Sequence, residues 1–541
     1  MICPLTSERN RLLKGKAFMT KYLLKRLLHG FFSIIVVVGI VMVLIYSLLD
    51  KMQIFALDSQ YNRLKNNTKV SYRYSRWEKY GYLDYVTYQD YLYELANSGE
   101  ITEEERSAAA GMGRTPNKDT EKAKEYIAKF TEHYKNMGYT IERRDAIMAT
   151  PKKVADGGQA ILFAYKDTPL IVRAWKYFTS LFSFDNINYV QEDVGERGLE
   201  FTLYDPVYGG EKFSPAIMGN GTNHRYLLYF DGTFPFIHQN LVTLNLGTSY
   251  SVNQGIDVFK TMTNTQGGFY KSQVTYPTGL TELSADDLHT ATYIADSRES
   301  SKINSDRFDS DYTNVDVVRG GFSKIGYSFV IGIISVALAY LLGVPLGIIM
   351  ARKKDKLIDK LGTVYIVFII AVPSLAYIFL FKQIGGAAGL PTTFDINAPT
   401  TLMYILPIIS LALPSVANLM KWIRRYMIDQ MNSDYVKFAR SGGLSEGEIF
   451  TKHILKNAII PIVHGIPGSV LASLTGAIIT ERVYVVPGAG NLLTEAINKY
   501  DNGVIVGVTL FYAVLSVVSI ILGDLFMAMV DPRISFSDKA R

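Results

Sequence analysis

The stretch from Asn432 to Pro461 reads Asn-Ser-Asp-Tyr-Val-Lys-Phe-Ala-Arg-Ser-Gly-Gly-Leu-Ser-Glu-Gly-Glu-Ile-Phe-Thr-Lys-His-Ile-Leu-Lys-Asn-Ala-Ile-Ile-Pro. Its residue types suit mechanical work: two short helices around a sharp break. Ser433 or Asp434 can cap the first helix. Gly442-Gly443 ends it, because only glycine reaches left-handed geometry cheaply. Ser445 opens the second helix with Glu448 three residues on, the pattern of a capping box. Ile449, Phe450, His453 and Ile454 share one face of that helix. Such a rigid pair fits a socket on a partner; an amphipathic helix lying on a lipid surface is the competing reading.

Reaction chemistry has little support elsewhere. No Gly-x-x-x-x-Gly-Lys-Ser/Thr loop occurs in the chain, and Gly320-Gly-Phe-Ser-Lys-Ile-Gly326 is not one, so ATP phosphates are not cradled here in that way. Histidine, aspartate and serine are scattered without catalytic or metal-ligand spacing. A single cysteine, Cys3, excludes an intrachain disulfide framework and a cysteine-based zinc cluster. A net charge of +6 over 541 residues gives no case for nucleic-acid binding.

The elements that position this loop are apolar. Six segments are each long and uncharged enough for a bilayer-crossing helix, which needs about 20 residues: roughly 30–49, 326–351, 362–381, 398–420, 458–480 and 503–530. The first follows Lys21, Lys25 and Arg26, but it is longer than a signal-peptide core and no small-residue cleavage site follows it, so it reads as a retained anchor. Met19 is a plausible start, which would make residues 1–18 a tail or a mis-set start.

Basic residues set the orientation. They crowd the N-terminal flank (Arg9 to Arg26), the loop after the second span (Arg352 to Lys360), the loop after the fourth (Lys421 to Lys456) and the tail (Arg533, Lys539, Arg541). The opposite short loops carry only Lys382, Arg482 and Lys499. Both termini are therefore expected in the cytoplasm and the long segment after the first span outside. That segment is too long for a loop. Its first part reads as helical (85–96, then 120–137), and its later part as mixed or β, with short apolar runs at 160–165, 199–204 and 225–230 bounded by Gly, Asp and Pro.

Inside the spans, Asp524 is an intramembrane acid and so a functional candidate by default; a structural role near the cytoplasmic end, beside water or an arginine, is the plainer alternative. Asn418 and His464 could line a pathway or make interhelix hydrogen bonds. Pro373, Pro407, Pro414 and Pro467 would kink or interrupt their helices.

With these residues in view, the chain resembles the permease subunits of bacterial ABC importers, and most closely the B-type permeases of oligopeptide and dipeptide systems. In the loop, Asp434, Tyr435, Val436, Ala439, Arg440, Gly443, Leu444, Ser445, His453, Leu455, Asn457, Ala458 and Pro461 match the coupling segment of that group. Further matches are Leu246-Gly247-Thr-Ser249-Tyr250, Gly343-Val-Pro345-Leu-Gly347, Pro373-Ser374, Glu481, Pro487-Gly488-x-Gly490, Glu495-Ala496, and Asp524 ahead of Asp531-Pro532-Arg533. Three departures stand out. Lys437-Phe438 stands where the wider permease motif prefers Glu-Ala, a Glu that the peptide-importer branch also lacks. An Asp-Tyr-Pro usual before the last helix is replaced by Tyr500-Asp501-Asn502-Gly503. The external segment is also far larger than in typical members, as in streptococcal and related Gram-positive versions.

The resemblance implies a six-helix α-helical polytopic membrane protein of the type I importer kind, with a large α+β extracellular domain between its first two helices. The expected divisions are an N-terminal tail (1–29), helix one (30–49), the external domain (50–325), a permease core (326–530) containing the coupling loop (421–457), and a C-terminal tail (531–541). It further implies a multi-pass protein of the bacterial cell membrane with no catalysis of its own. ATP and magnesium would sit on two partner ATPase subunits, contacted through Asp434, Tyr435, Ala439, Arg440, Gly443, Leu444, Ser445, Glu448, Ile449, Phe450 and His453. A second homologous permease would complete the pathway, and an extracellular peptide-binding lipoprotein would deliver cargo. Nickel or another small ligand is the alternative cargo. A membrane-anchored receptor or sensor is an alternative of another class, disfavoured because it has no need of an ATPase-docking helix pair; an ectoenzyme lacks a reactive constellation.

Overall fold

The computed structural model describes residues 4–232, 236–294, 306–308, 310–397 and 399–530. The expected C-terminal tail and Asp531-Pro532-Arg533 lie outside them. Among the described residues, four helices are long and apolar enough to cross a membrane, and six spans result if each of two bent pairs counts as one.

The first helix, α1 (Pro4–Leu48), is longer than expected: residues 4–29 continue it where a tail was expected. It lies along the last helix of the chain. Beyond it, the described part of the inserted segment holds two larger sheets and four two-stranded ones. A three-stranded antiparallel sheet orders β1 (Leu83–Thr87), β3 (Ile161–Asp167) and β2 (Thr140–Arg144) with β3 central. The helices α2 (Asn66–Lys79), α3 (Tyr88–Asn97) and α4 (Glu121–Asn136) cover it and bury Tyr74, Trp77, Tyr88 and Phe130. The helix expected at residue 85 begins only at Tyr88. Thr87 and Asp90 close a capping box there, and Leu83 and Tyr85 alternate inward as strand residues. A four-stranded antiparallel sheet follows: β4 (Gly198–Thr202), β5 (Ala216–Asn220), β6 (Tyr226–Phe230) and β7 (Ile237–Gln239), in that spatial order. Between the two sheets in chain order comes α5 (Leu170–Thr179), which contacts α1 and whose Arg173 is buried.

The bundle begins with α6 (Lys324–Arg352), capped by Ser323, whose Oγ accepts the Gly326 amide. The third expected span is two helices, α7 (Leu357–Ala371) and α8 (Ser374–Ala387), bent by 110°. Pro373 is the cause: it donates no N–H, and its ring pushes Val372 into extended geometry at φ −85°, ψ 129°. The fourth span, α9 (Ile405–Met431), starts later than expected and absorbs Lys421–Met431 from the expected loop. Pro414 lies within it and Pro407 in its first turn. After the coupling segment come α12 (Ile466–Tyr484), bent 40° from the segment before it, α13 (Ala489–Asn498) and α14 (Asn502–Val530). The tightest pairing joins α6 to α9, where Gly343 and Gly347 bring the backbones close; a β-carbon at Gly347 would lie 2.8 Å from the Ile423 side chain.

Candidate functional site: the coupling segment and its anchorage

The first coupling helix, α10, is Asp434–Ser441. Ser433 occupies its N-cap position but makes no side-chain cap; its Oγ donates instead to the Gln430 carbonyl at 2.6 Å, tying the helix to the end of α9. Asp434 pairs with Lys437 at 2.9 Å, and the lysine holds its carboxyl below the usual range. At the break Gly443 adopts φ +83°, so the left-handed position falls on the second glycine of the pair. The second helix, α11, runs from Glu446 as one α turn, a π-helical stretch at Ile449–Leu455 and two short α segments to His464. Its capping box is formed: Ser445 Oγ accepts the Glu448 amide, and the Glu448 carboxylate reaches back to Ser445. Across the turn Arg440 grips Glu446 through two hydrogen bonds of 2.6 and 3.1 Å. Tyr435 Oη donates to Gln430 at 2.6 Å and accepts from Asn457 at 3.0 Å, bracing α10 against both neighbours.

The two faces of this pair differ sharply. Val436, Ala439, Ile449 and Ile454 are buried in the same core cluster as Met350, Ile423 and Met427, and Phe450 packs on its edge beneath the Arg352 guanidinium. Ile449 and Ala439 therefore fasten the segment to the bundle and have no free surface to offer a partner, contrary to their place in the expected contact set. The opposite face holds Phe438, 79% exposed, with Tyr435 and Leu444 partly exposed beside it. Phe438 was left out of the expected contacts because it departs from the motif; the amphipathic period of α10, with Val436 and Ala439 inward, marks it as outward. His453 is half-buried, its carbonyl within 3.3 Å of Tyr435 Oη.

Four polar anchorages tie the bundle together. Asp359 at the start of α7 receives Arg424 of α9 through two bonds of 2.5 and 2.7 Å. Glu481 accepts from Ser328 at 2.5 Å and from the Asn491 amide at 2.9 Å, so the Glu481 and Pro487-Gly488-x-Gly490 motifs are two halves of one joint. Asp524 is met by Tyr22 Oη at 2.7 Å, Arg26 at 2.9 Å and His464 at 3.5 Å. His464 and Asp524 thus come together at a junction of α1, α11 and α14.

The fourth anchorage joins the inserted domain to the bundle. The fully buried Asp501 carboxylate accepts the Ser249 hydroxyl at 2.6 Å and the amides of Tyr250, Ser251 and Val252, each at 2.9 Å. The Leu246–Tyr250 motif and the departure at Tyr500–Gly503 are therefore partners. Gly503 is needed for the approach, since a β-carbon there would fall 2.0 Å from the Thr248 carbonyl oxygen. Beside it, Arg173 is sandwiched between Tyr46 of α1 and Tyr82, 3.6 and 3.8 Å from their ring centres, and donates to the Tyr80 carbonyl at 2.6 Å. The pins on α1, at Tyr22 and Tyr46, are about 36 Å apart along the helix.

Asn418 is brought to neither His464 nor Asp524. It lines a chamber of about 270 Å³ between α6, α8, α9 and α12. Among the described residues no group of three or more His, Cys, Asp and Glu side chains could hold a metal ion.

The arrangement is a helical bundle with a helix pair fastened to it on one face and open on the other. Residues 343–536 match the family model described as binding-protein-dependent transport system inner membrane component. Over 528 residues, 96% of this chain and 99% of the relative, the sequence is 33% identical to the oligopeptide transport system permease protein AmiC of Streptococcus pneumoniae. It is 30% identical over 230 residues to the dipeptide transport system permease protein DppB of Bacillus subtilis, covering 42% of this chain and 73% of that one. The chain belongs to the oligopeptide permease family of ABC importers, whose members are non-catalytic membrane subunits. Because the match to AmiC spans nearly the whole chain, it takes in the enlarged inserted domain.

Proposed function

We propose that this chain forms half of the translocation pathway of an ATP-driven oligopeptide importer and is driven through α10 and α11 by ATPase subunits bound beneath them. The observation that carries this is the two-faced coupling segment: one side is built into the bundle core, while the other presents Phe438 to solvent with Tyr435 and Leu444 beside it. Closure of two ATPases around ATP and magnesium would push the tip, and the buried side would pass the push to α6 and α9. A second, related permease supplies the other half of the pathway. The chain sits in the bacterial cell membrane with both termini in the cytoplasm and the inserted domain outside, facing a peptide-loaded binding lipoprotein.

The test is Phe438→Asp combined with Leu444→Asp. The variant should insert and pair with the second permease at the normal level, fail to co-purify with the ATPases, and lose peptide uptake. Co-purification of the ATPases at the normal level would overturn the proposal.

A further inference from the structure

The chamber between α6, α8, α9 and α12 has an unusual lining for its setting. Its open polar groups include Ser374, Ser415 and Asn418; the buried Ser410 and Ser473 line it too, their hydroxyls bonded to Tyr484 and the Val470 carbonyl, and no acid, lysine, arginine or histidine of this chain is in the lining. Asn418 stands out among them. Its neighbours Val416, Ala417, Leu419 and Met420 are all buried, yet Asn418 is exposed, and its carboxamide makes no hydrogen bond to any described residue. An amide at this depth in an apolar helix is costly unless something satisfies it. Pro414 adds an acceptor: lacking an N–H, it leaves the Ser410 carbonyl without its partner four residues on, and both residues line the chamber. The Pro373 break places Ser374 there as well, at the first turn of α8.

Hydroxyls, a carboxamide and a released carbonyl together offer both donors and acceptors at neutral charge. That set complements the peptide main chain, which carries one N–H and one C=O per residue whatever its side chains. We propose that the chamber is a charge-blind station for the peptide backbone, with Asn418 the residue that keeps it neutral and so determines which side-chain charges can pass. Acidic and basic peptides cross it alike because no fixed charge attracts or repels them. This rests on the pathway reading above and adds what the pathway selects.

The experiment uses the complete transporter with its partner permease, ATPases and binding protein in proteoliposomes. Uptake of three peptides of equal length is compared: one neutral, one bearing lysines and one bearing aspartates. Each variant-to-wild-type ratio cancels the binding protein's own preference. Asn418→Asp should raise the lysine-to-aspartate uptake ratio by about five- to tenfold, the order expected for charges meeting in a wet cavity, and Asn418→Lys should lower it by a similar factor. ATPase association should stay near wild type, and each charged-peptide rate is read against the same variant's own neutral-peptide uptake. Unchanged ratios alongside measurable neutral uptake would overturn the station while leaving the pathway reading intact. Should both charged variants lose all uptake, Ser415→Asp and Ser415→Lys carry the same comparison, and unchanged ratios there would likewise overturn it.

Discussion

Replacing Asp501 by asparagine keeps its shape and removes its charge. One carboxylate oxygen accepts the Ser249 hydroxyl and the amides of Ser251 and Val252; the other accepts the amides of Tyr250, at 2.9 Å, and Val504, at 3.1 Å. Asparagine has one acceptor and one donor group. Its best rotamer turns the oxygen to the three-donor side and leaves the amides of Tyr250 and Val504 facing an NH2. Each stranded buried donor costs about 1–3 kcal/mol, and the remaining three bonds lose their charge assistance. The sum is about 3–5 kcal/mol. Hydrogen exchange in detergent or nanodiscs reads it directly: protection of the amides at 250–252 and 504 should fall by about two to three orders of magnitude, since about 1.4 kcal/mol is a factor of ten. Exchange in the three-stranded sheet should not change, because β1, β2 and β3 make their own ladder. If protection at 250–252 persisted, Asp501 would not be what holds the inserted domain to α14.

Other outcomes follow from the same geometry. Ile449→Asp puts an unpaired charge into a site with no exposure and should abolish stable membrane insertion, read as loss of protein from the detergent-soluble fraction, whereas Phe438→Asp should leave yield unchanged. Gly443→Ala meets no atom within 4 Å, so only its φ of +83° opposes it; the turn should weaken by about 1 kcal/mol and uptake should fall without loss of the protein. Asp524→Asn should loosen α1 from the base of α14, seen as faster proteolysis near Tyr22 and Arg26. In the inserted domain, burial opposes the charge on Asp119, but Arg143 and the Gly113 amide outweigh it and hold the carboxyl below the usual range. Its contribution is thus complete above the unfolded value of about 3.9 and disappears as pH falls through the lower native value. Melting of wild type and Asp119→Asn should differ by a constant amount from pH 7 to pH 5; the gap should begin to narrow only below about pH 4 and close as pH falls through the lower native value.

The coupling segment was legible because its determinants are local. Ser445 and Glu448 sit three residues apart, and a glycine pair marks the turn, so cap and break can be read without the rest of the chain. The apolar runs were legible for the same reason, four of the six falling on long apolar helices and two on bent helix pairs. The break at Pro373 was visible as a proline, but its 110° angle depends on α8 packing beside α9 and α12. The anchorages were hidden because their halves are far apart in the chain: Ser249 and Asp501 are separated by 252 positions and Tyr22 and Asp524 by 502. A buried acid announces that it needs a partner, and Asp524 did so. It does not say which of many arginines answers. Ile449 was misread as a contact residue because an apolar stripe on a helix has one appearance whether it faces its own bundle or another subunit.

The two ends of α1 give that helix an office beyond crossing the bilayer. It is held at its foot by Asp524, which its Tyr22 and Arg26 grip, and at its crown by Arg173 stacked on its Tyr46, with a mostly apolar stretch between. A shaft gripped at both ends cannot spin idly. A turn of α14 at one end of that shaft would therefore be felt at the Tyr-rich clasp about 36 Å away.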